Sequence, residues 1–243
     1  ATDWWKAEKA LTAMTPHFRV NSPADSTRIE ELLDDAVRRG EPGRVVTRGN
    51  GDDAMGKPDL ALRYDVSPAH HATLETASAT ARFEDGRLEL WIASQAPEQA
   101  RRAAADALQI DEADVVLYPM PAGGSFDRRL EHDHAIEVAL IARETGRAVQ
   151  LVWSRWQEQL VTRPRAPAAA VLSARTARDG SIAAFRARFA TPPTALEFGQ
   201  RLFANDTPWS ATEAVAGKTD PMAVEGADPP YAIPDVAIDH VPV

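Results

Sequence analysis

The chain has 243 residues, 44% of them hydrophobic and 26% charged, an ordinary globular balance that excludes collagen-like and wholly disordered readings and allows one large or two modest domains. Its 27 basic and 36 acidic residues leave a net charge of -9, which on average repels phosphate backbones, so no nucleic-acid partner is expected. There is no run of 18 apolar residues to span a bilayer, and no cysteine for disulfides, thiolate metal sites, iron–sulfur clusters or thiol catalysis.

The chain opens on Ala1-Thr2-Asp3, without a charged and then apolar leader, and stops at Val241-Pro242-Val243. The expectation is a piece of a longer polypeptide, and the compartment stays open because any export signal would lie upstream. Asp3 is placed to cap a helix through Met14, with Trp4, Ala7 and Leu11 on one face and Thr15-Pro16 as its stop. Ser22 and Pro23 suit the start of a second helix that carries Ile29, Leu32, Leu33, Ala36 and Val37 to Gly40. Glu41 to Lys57, with four glycines and one proline, reads as a linker enclosing a short strand at Val45-Val46.

Strand patterns follow at Leu60 to Tyr64 and Ala72 to Phe83, then a hairpin turn at Glu84 to Arg87 leads into Leu88 to Ile92. Pro97 opens an alanine-rich helix to Gln109, Val115 to Tyr118 is a strand, and a helix capped by Asp133 runs to Thr145 and stops at Gly146. Val149 to Trp153 is a strand, and Pro167 to Ala177 pairs with Ser181 to Ala190 across Arg178-Asp179-Gly180. From Thr191 onward the periodicity fades and eight of the 18 prolines fall, so irregular structure is expected. Hairpins mixed with inserted helices make the fold class α+β with mixed sheets.

The sharpest chemical feature is Pro121-Ala122-Gly123-Gly124-Ser125-Phe126-Asp127-Arg128-Arg129, between a strand and a helix. Its bare backbone and arginines suit an anion, while the motif taken alone reads first as an ordinary turn followed by a solvated basic pair, since short glycine motifs are common. Gln95, after a strand and before the Pro97 helix, is placed either to donate to a ligand oxygen or to bond free backbone at the helix entry. His70-His71 and His132-Asp133-His134 do not have the spacing of a metal site, since their side chains diverge on a strand and at a helix start. Glu75, in an otherwise small and apolar strand pattern, is a base, a positioning group or an exposed strand residue. No Ser/His/Asp order, Walker loop or dinucleotide fingerprint is present.

Several segments occur in a specific order: His71 to Glu75, Ala81 to Gly86, Leu90 to Gln95, Gly123 to Arg129 and Gly146 to Arg155. Together they resemble the molybdopterin-binding large subunit of the xanthine dehydrogenase and aldehyde oxidase family, in particular the branch of the isoquinoline 1-oxidoreductase beta subunit. Within that resemblance, residues 1–56 correspond to the end of a hammerhead-like domain plus linker, and residues 57–243 to the first part of the molybdopterin-binding domain. Trp4 to Met14 resembles the last hammerhead helix, and Pro229 to Val236 a later family segment.

The resemblance implies a molybdopterin-type molybdenum cofactor that hydroxylates N-heterocycles or aldehydes with water-derived oxygen. It also implies an iron–sulfur small subunit as electron acceptor and the remainder of the large subunit as a further partner. Gln95 matches the family glutamine beside the metal's oxygen ligands, and Gly123, Gly124, Ser125, Phe126, Asp127 and Arg128 match the GGGFG loop at the molybdenum end of the cofactor. Ser125 replaces the third glycine and Asp127 the glycine after Phe126, which crowds the site and adds a carboxylate near an anionic group. Arg165 lies near a family substrate-pocket arginine. The family's catalytic glutamate belongs to a later segment, so no catalytic residue is assigned here, and the chain alone is expected to hold no cofactor. The alternative implied by the two departures is a degenerate, cofactor-free structural or interaction module.

Overall fold

The computed structural model describes residues 1–17, 19, 25–203, 213 and 217–243. Two mixed sheets carry the molecule. The four-stranded sheet has the order β5-β4-β3-β6 and is built from β3 (Ser78–Glu84), β4 (Arg87–Ile92), β5 (Val115–Pro119) and β6 (Val149–Val152). β3 and β4 form the expected hairpin, with Asp85 and Gly86 both at positive φ as a tight two-residue turn requires. β4 and β5 are parallel because α3 (Pro97–Leu108) makes the crossover between them.

This sheet is covered on one face by α3 and α4 (Asp133–Thr145). Ala100, Ala104, Ala105, Ala135, Ala139 and Ala142 are buried between them, small enough to let the helices approach while Leu88, Leu90 and Ile92 fill the sheet side. Each of those three strand residues is at most 1% exposed and contributes roughly 1.5–3 kcal/mol of burial. Asp133 is the first helical residue of α4 rather than its cap, which is His132; its carboxylate still lies at the positive end of the helix dipole.

The five-stranded sheet has the order β1-β9-β8-β7-β2 and comprises β1 (Gly43–Arg48), β2 (Leu60–Val66), β7 (Ala168–Thr176), β8 (Ile182–Thr191) and β9 (Asp235–Pro242). On one face α2 (Ser26–Arg39) inserts Leu33 and Val37 against Ala169, Ala190 and Val241. On the other, Val224 and Ile233 pack over Ala187, Val236 and Ile238. α1 (Trp4–Met14) is capped by Asp3 as expected, buries no residue, and is tied back by Trp4 Nε1 donating to Val152 O at 2.9 Å.

The structure departs from the sequence expectation in several places. Ser22 and Pro23 lie outside the described residues, and α2 begins at Ser26 with Asp25 accepting from the Thr27 and Arg28 N–H groups. The expected linker 41–57 contains β1, a six-residue strand paired with β9, so that stretch is built into a sheet. The expected strand from Ala72 begins only at Ser78, since Ala72 sits at φ 49 and residues 71–77 loop towards the glycine segment.

Beyond Thr191 the chain is more regular than its prolines imply. α6 (Thr194–Leu202) follows β8, and β9 lies between β8 and β1 with Val236 to Val241 all buried. α5 (Arg155–Val161) is a further helix that the sequence pattern does not predict; a capping box between Ser154 and Gln157 starts it.

Candidate functional site

The loop after β5 is the centre of the site. Gly124 has φ +100, and Phe126 and Asp127 follow at φ 50 and 70, so the chain makes a left-handed bend that keeps consecutive N–H groups turned away from any strand partner. Ser125 O accepts the Arg128 N–H at 2.8 Å, closing the bend into the 3-10 turn Arg128–Leu130. The N–H groups of Gly124, Ser125, Phe126 and Asp127 have no hydrogen-bond acceptor among the described residues.

Three neighbouring segments hold this loop. From the β4–α3 junction, Gln95 receives the Arg129 N–H on Oε1 at 3.2 Å and donates its own backbone N–H to Arg129 O at 2.9 Å. Gln95 is an exposed residue, and that use of Oε1 leaves its carboxamide nitrogen as a donor.

From the 71–77 loop, Glu75 accepts the Gly123 N–H on Oε2 at 2.7 Å and donates its backbone N–H to Gly123 O at 3.1 Å. Arg129, 3% exposed, donates from Nη2 to Glu75 Oε2 at 3.2 Å and to Glu75 O at 3.3 Å, and from Nε to Gly124 O at 3.0 Å. From α6, Arg201 pairs with Glu131 at 2.6 Å and donates to Asp127 O.

The sequence-predicted residues divide accordingly. Gln95, Gly123, Gly124, Ser125, Phe126 and Asp127 come together in one loop and its brace. Phe126 is 58% exposed, with its ring lying back over Gly124, where a Cβ would meet Cε2 at 3.2 Å. The Asp127 carboxylate is exposed and makes no hydrogen bond among the described residues.

Arg128 differs from the expected contact role. Its guanidinium is 4% exposed and turned inward, with Nε 2.7 Å from Glu158 Oε1, Nη1 3.2 Å from Glu131 Oε2, and Cζ 5.5 Å from the Trp153 ring centroid. An arginine with two carboxylate partners and an aromatic platform is committed to the fold. Arg165 is exposed and meets the site through its backbone, donating to Ala69 O at 2.8 Å.

Electrostatically the rear of the loop disfavours further positive charge. Burial, with Arg201 and Arg165 nearby, pushes the His71 pKa down. Burial also lowers His132, and burial with Arg128 and Arg129 pushes His134 down to about 3. These histidines are neutral at pH 7. Among the described residues no group of three or more His, Asp and Glu could hold a metal ion, and no helix is long and apolar enough to cross a membrane.

Glu75 is the residue bracing the loop whose part the sequence left open. Its partner, Gly123, lies 48 positions away, so only the composition of its surroundings marked it.

Residues 37–202 match the family model described as molybdopterin cofactor-binding domain. The beta subunit of isoquinoline 1-oxidoreductase from Brevundimonas diminuta is 30% identical over 174 residues, 67% of this chain and 22% of that protein. Aldehyde oxidase 1 of Macaca fascicularis is 27% identical over 150 residues, 59% of this chain and 11% of that protein. The chain thus spans about a fifth or less of the length of these curated relatives.

Among solved structures, the aldehyde oxidoreductase of Desulfovibrio gigas superposes with a TM-score of 0.54 at 22% identity, covering 81% of this chain and 21% of that one. A Cu,Mo-CO dehydrogenase superposes with a TM-score of 0.56 at 17% identity, covering 100% of this chain and 32% of that one; at these identities the likeness concerns the fold. The family match covers over two thirds of the chain and the fold is shared, and the chain belongs to the molybdopterin cofactor-binding domain family.

Proposed function

We propose that this chain supplies one wall of the cofactor site in the large subunit of a molybdenum hydroxylase. The enzyme is an oxidoreductase acting on N-heterocycles or aldehydes and passing electrons to an iron–sulfur partner subunit. The observation that carries this reading is the run of four backbone N–H groups at Gly124 to Asp127, without acceptors among the described residues, beside the unused carboxamide nitrogen of Gln95. Such a set fits an anionic, oxygen-rich group that needs close donors. The names of the relatives supply the substrate classes.

The residues that would hold the cofactor are Gln95 and the backbone of Gly124 to Asp127, with Phe126 as an apolar neighbour. When bound, the cofactor supplies two-electron oxidation with oxygen drawn from water. The chain's own residues act by position. Gln95 is fixed through Oε1, which leaves its carboxamide nitrogen as a donor, and the loop N–H groups are set before any ligand arrives, which lowers the cost of ordering them on binding.

A second reading, a cofactor-free module of the same family, is favoured by Asp127. Its unpaired carboxylate stands in the same loop as the open N–H groups and opposes an anion there.

Molybdenum content separates the two. The large subunit containing this chain, coexpressed with an iron–sulfur partner in a host that makes the cofactor, is expected to carry close to one molybdenum per chain. A folded complex without metal overturns the first reading, and recovery of metal in Ser125→Gly/Asp127→Gly then supports the second.

A further inference from the structure

The two glycines of the loop have different reasons to be glycine. Gly124 needs its backbone conformation, φ +100. Gly123 has no positive φ, and a Cβ there would stand 2.6 Å from Glu75 Cβ and 3.1 Å from Glu75 Oε2. Glu75 therefore accounts for the missing side chain at 123. The two residues exchange both backbone and side-chain bonds at this close approach.

The grip extends beyond Gly123. Ser78 Oγ donates to Glu75 Oε1 at 3.1 Å, fixing the rotation of the carboxylate. Thr73 Oγ1 donates to Glu75 O at 2.8 Å, fixing its backbone. Arg129 bonds Glu75 with its side chain and Gln95 with its backbone, so the two braces of the loop meet in one residue. Because Glu75 takes the Gly123 N–H, that group is not a ligand donor, and the open run starts at Gly124.

We propose that Glu75 is a positioning residue for the cofactor loop: it clamps Gly123 and, through Arg129, aligns Gln95 with the open N–H groups of Gly124 to Asp127. This rests on the cofactor reading above. The clamp replaces conformational freedom that a loop of this composition would otherwise have to lose on binding.

The test is amide hydrogen exchange on the 243-residue chain without cofactor, comparing wild type, Glu75→Gln and Glu75→Ala. Glu75→Ala removes the acceptor and is expected to speed exchange by about tenfold or more at Gly123, whose N–H it holds, and at Arg129, whose N–H bonds Gln95, in line with loss of a charge-assisted bond, while the open N–H groups of Gly124 to Asp127 exchange fast in all three proteins. Glu75→Gln keeps a carbonyl acceptor and should stay within about threefold of wild type. Protection at Ala81 and Leu90 in the four-stranded sheet should not move. Unchanged exchange at Gly123 and Arg129 in Glu75→Ala overturns the clamp, and so does an equal rise at Ala81 and Leu90, which would make the effect global.

The second measurement is molybdenum retained per chain by the assembled enzyme. Glu75→Ala should retain at most about a fifth of the wild-type metal and Glu75→Gln most of it, because a tenth to a fifth of the affinity corresponds to one lost hydrogen bond. Equal retention in all three overturns the positioning role. A wild type that retains none fails the cofactor reading itself, a result distinguishable because the exchange experiment contains no cofactor.

Discussion

His134 is 2% exposed, lies edge-on to Trp153 with ring centroids 6.1 Å apart, and has its pKa pushed down to about 3 by burial and by Arg128 and Arg129. An unfolded histidine titrates near 6.5. Above that value neither state is protonated and the stability is complete. As pH falls from 6.5 towards 3 the unfolded chain takes up a proton that the native state refuses, so stability declines by up to about 1.4 kcal/mol per pH unit for each such histidine. His71 and His132 shift in the same direction, mainly through burial, and add to the slope. The urea midpoint is therefore expected to drop between pH 7 and pH 5, and less steeply in His134→Leu; equal slopes in the two proteins would show that His134 is not the source. The residues of the loop were singled out in the sequence by the order and spacing of the segments around them, since the glycine pair alone also fits an ordinary turn and Gln95 alone an ordinary helix entry. The inward turn of Arg128 was not, because Glu158 and Trp153 lie about 30 and 25 positions along the chain and no local pattern marks a buried pair.

α5 is short, yet it joins three parts of the structure through Glu158, which is 5% exposed. Glu158 Oε2 accepts the Ala77 N–H at 2.7 Å at the entry to β3, while Oε1 meets Arg128 in the 3-10 turn that ends the loop. Removing it strands a buried guanidinium, leaving only Glu131 as its carboxylate partner, and also strands a backbone donor. Glu158→Ala should therefore cost about 3–5 kcal/mol. The double variant Arg128→Met/Glu158→Met should recover a large part of it, since a buried ion pair replaced by apolar side chains of similar volume is often neutral. Urea unfolding of the three proteins checks this, and a loss below about 1 kcal/mol in the single variant would place the pair in the range of solvent-screened ones. The Ser154–Gln157 capping box that starts α5 was present in the sequence as a signal, and the adjacent strand pattern concealed it. β9 was hidden for a different reason. A strand buried on both faces shows no alternation, and Asp239 and His240 interrupt its apolar run because Arg44 and Arg186 pair with the first while Asp220 N–H and Thr191 O bond the second.

At the scale of the molecule, the apolar clusters follow the two sheets and none includes buried residues from both. One consists of β3, β4, β5, α3 and α4 residues; the other two lie on either face of the five-stranded sheet. Polar contacts connect the halves: the Ala69–Arg165 bridge, and Arg201 of α6 reaching Glu131 and Asp127 O beside the loop. Polar links of this kind couple two cores less tightly than shared apolar burial, so the halves are expected to open separately. The five-stranded sheet should open first, from β2. That strand is an edge, all seven of its residues are exposed, and Leu60, Leu62, Tyr64 and Val66 lie on one uncovered face. Hydrogen exchange across a urea series should show the amides of β7 and β2 losing protection before those of β3 and β4. Arg201→Met should widen the gap, because it removes the pairing of α6 with Glu131 while leaving both apolar cores intact. A single coincident transition in wild type and variant would mean that the loop region couples the sheets more strongly than these contacts account for. The Gly123–Arg129 loop lies where the two halves meet, braced by Glu75 and Gln95 on one side and by Arg201 on the other. A ligand held by its open N–H groups would consequently stabilise the junction as well as the loop, and a bound anion should narrow the same gap that Arg201→Met widens.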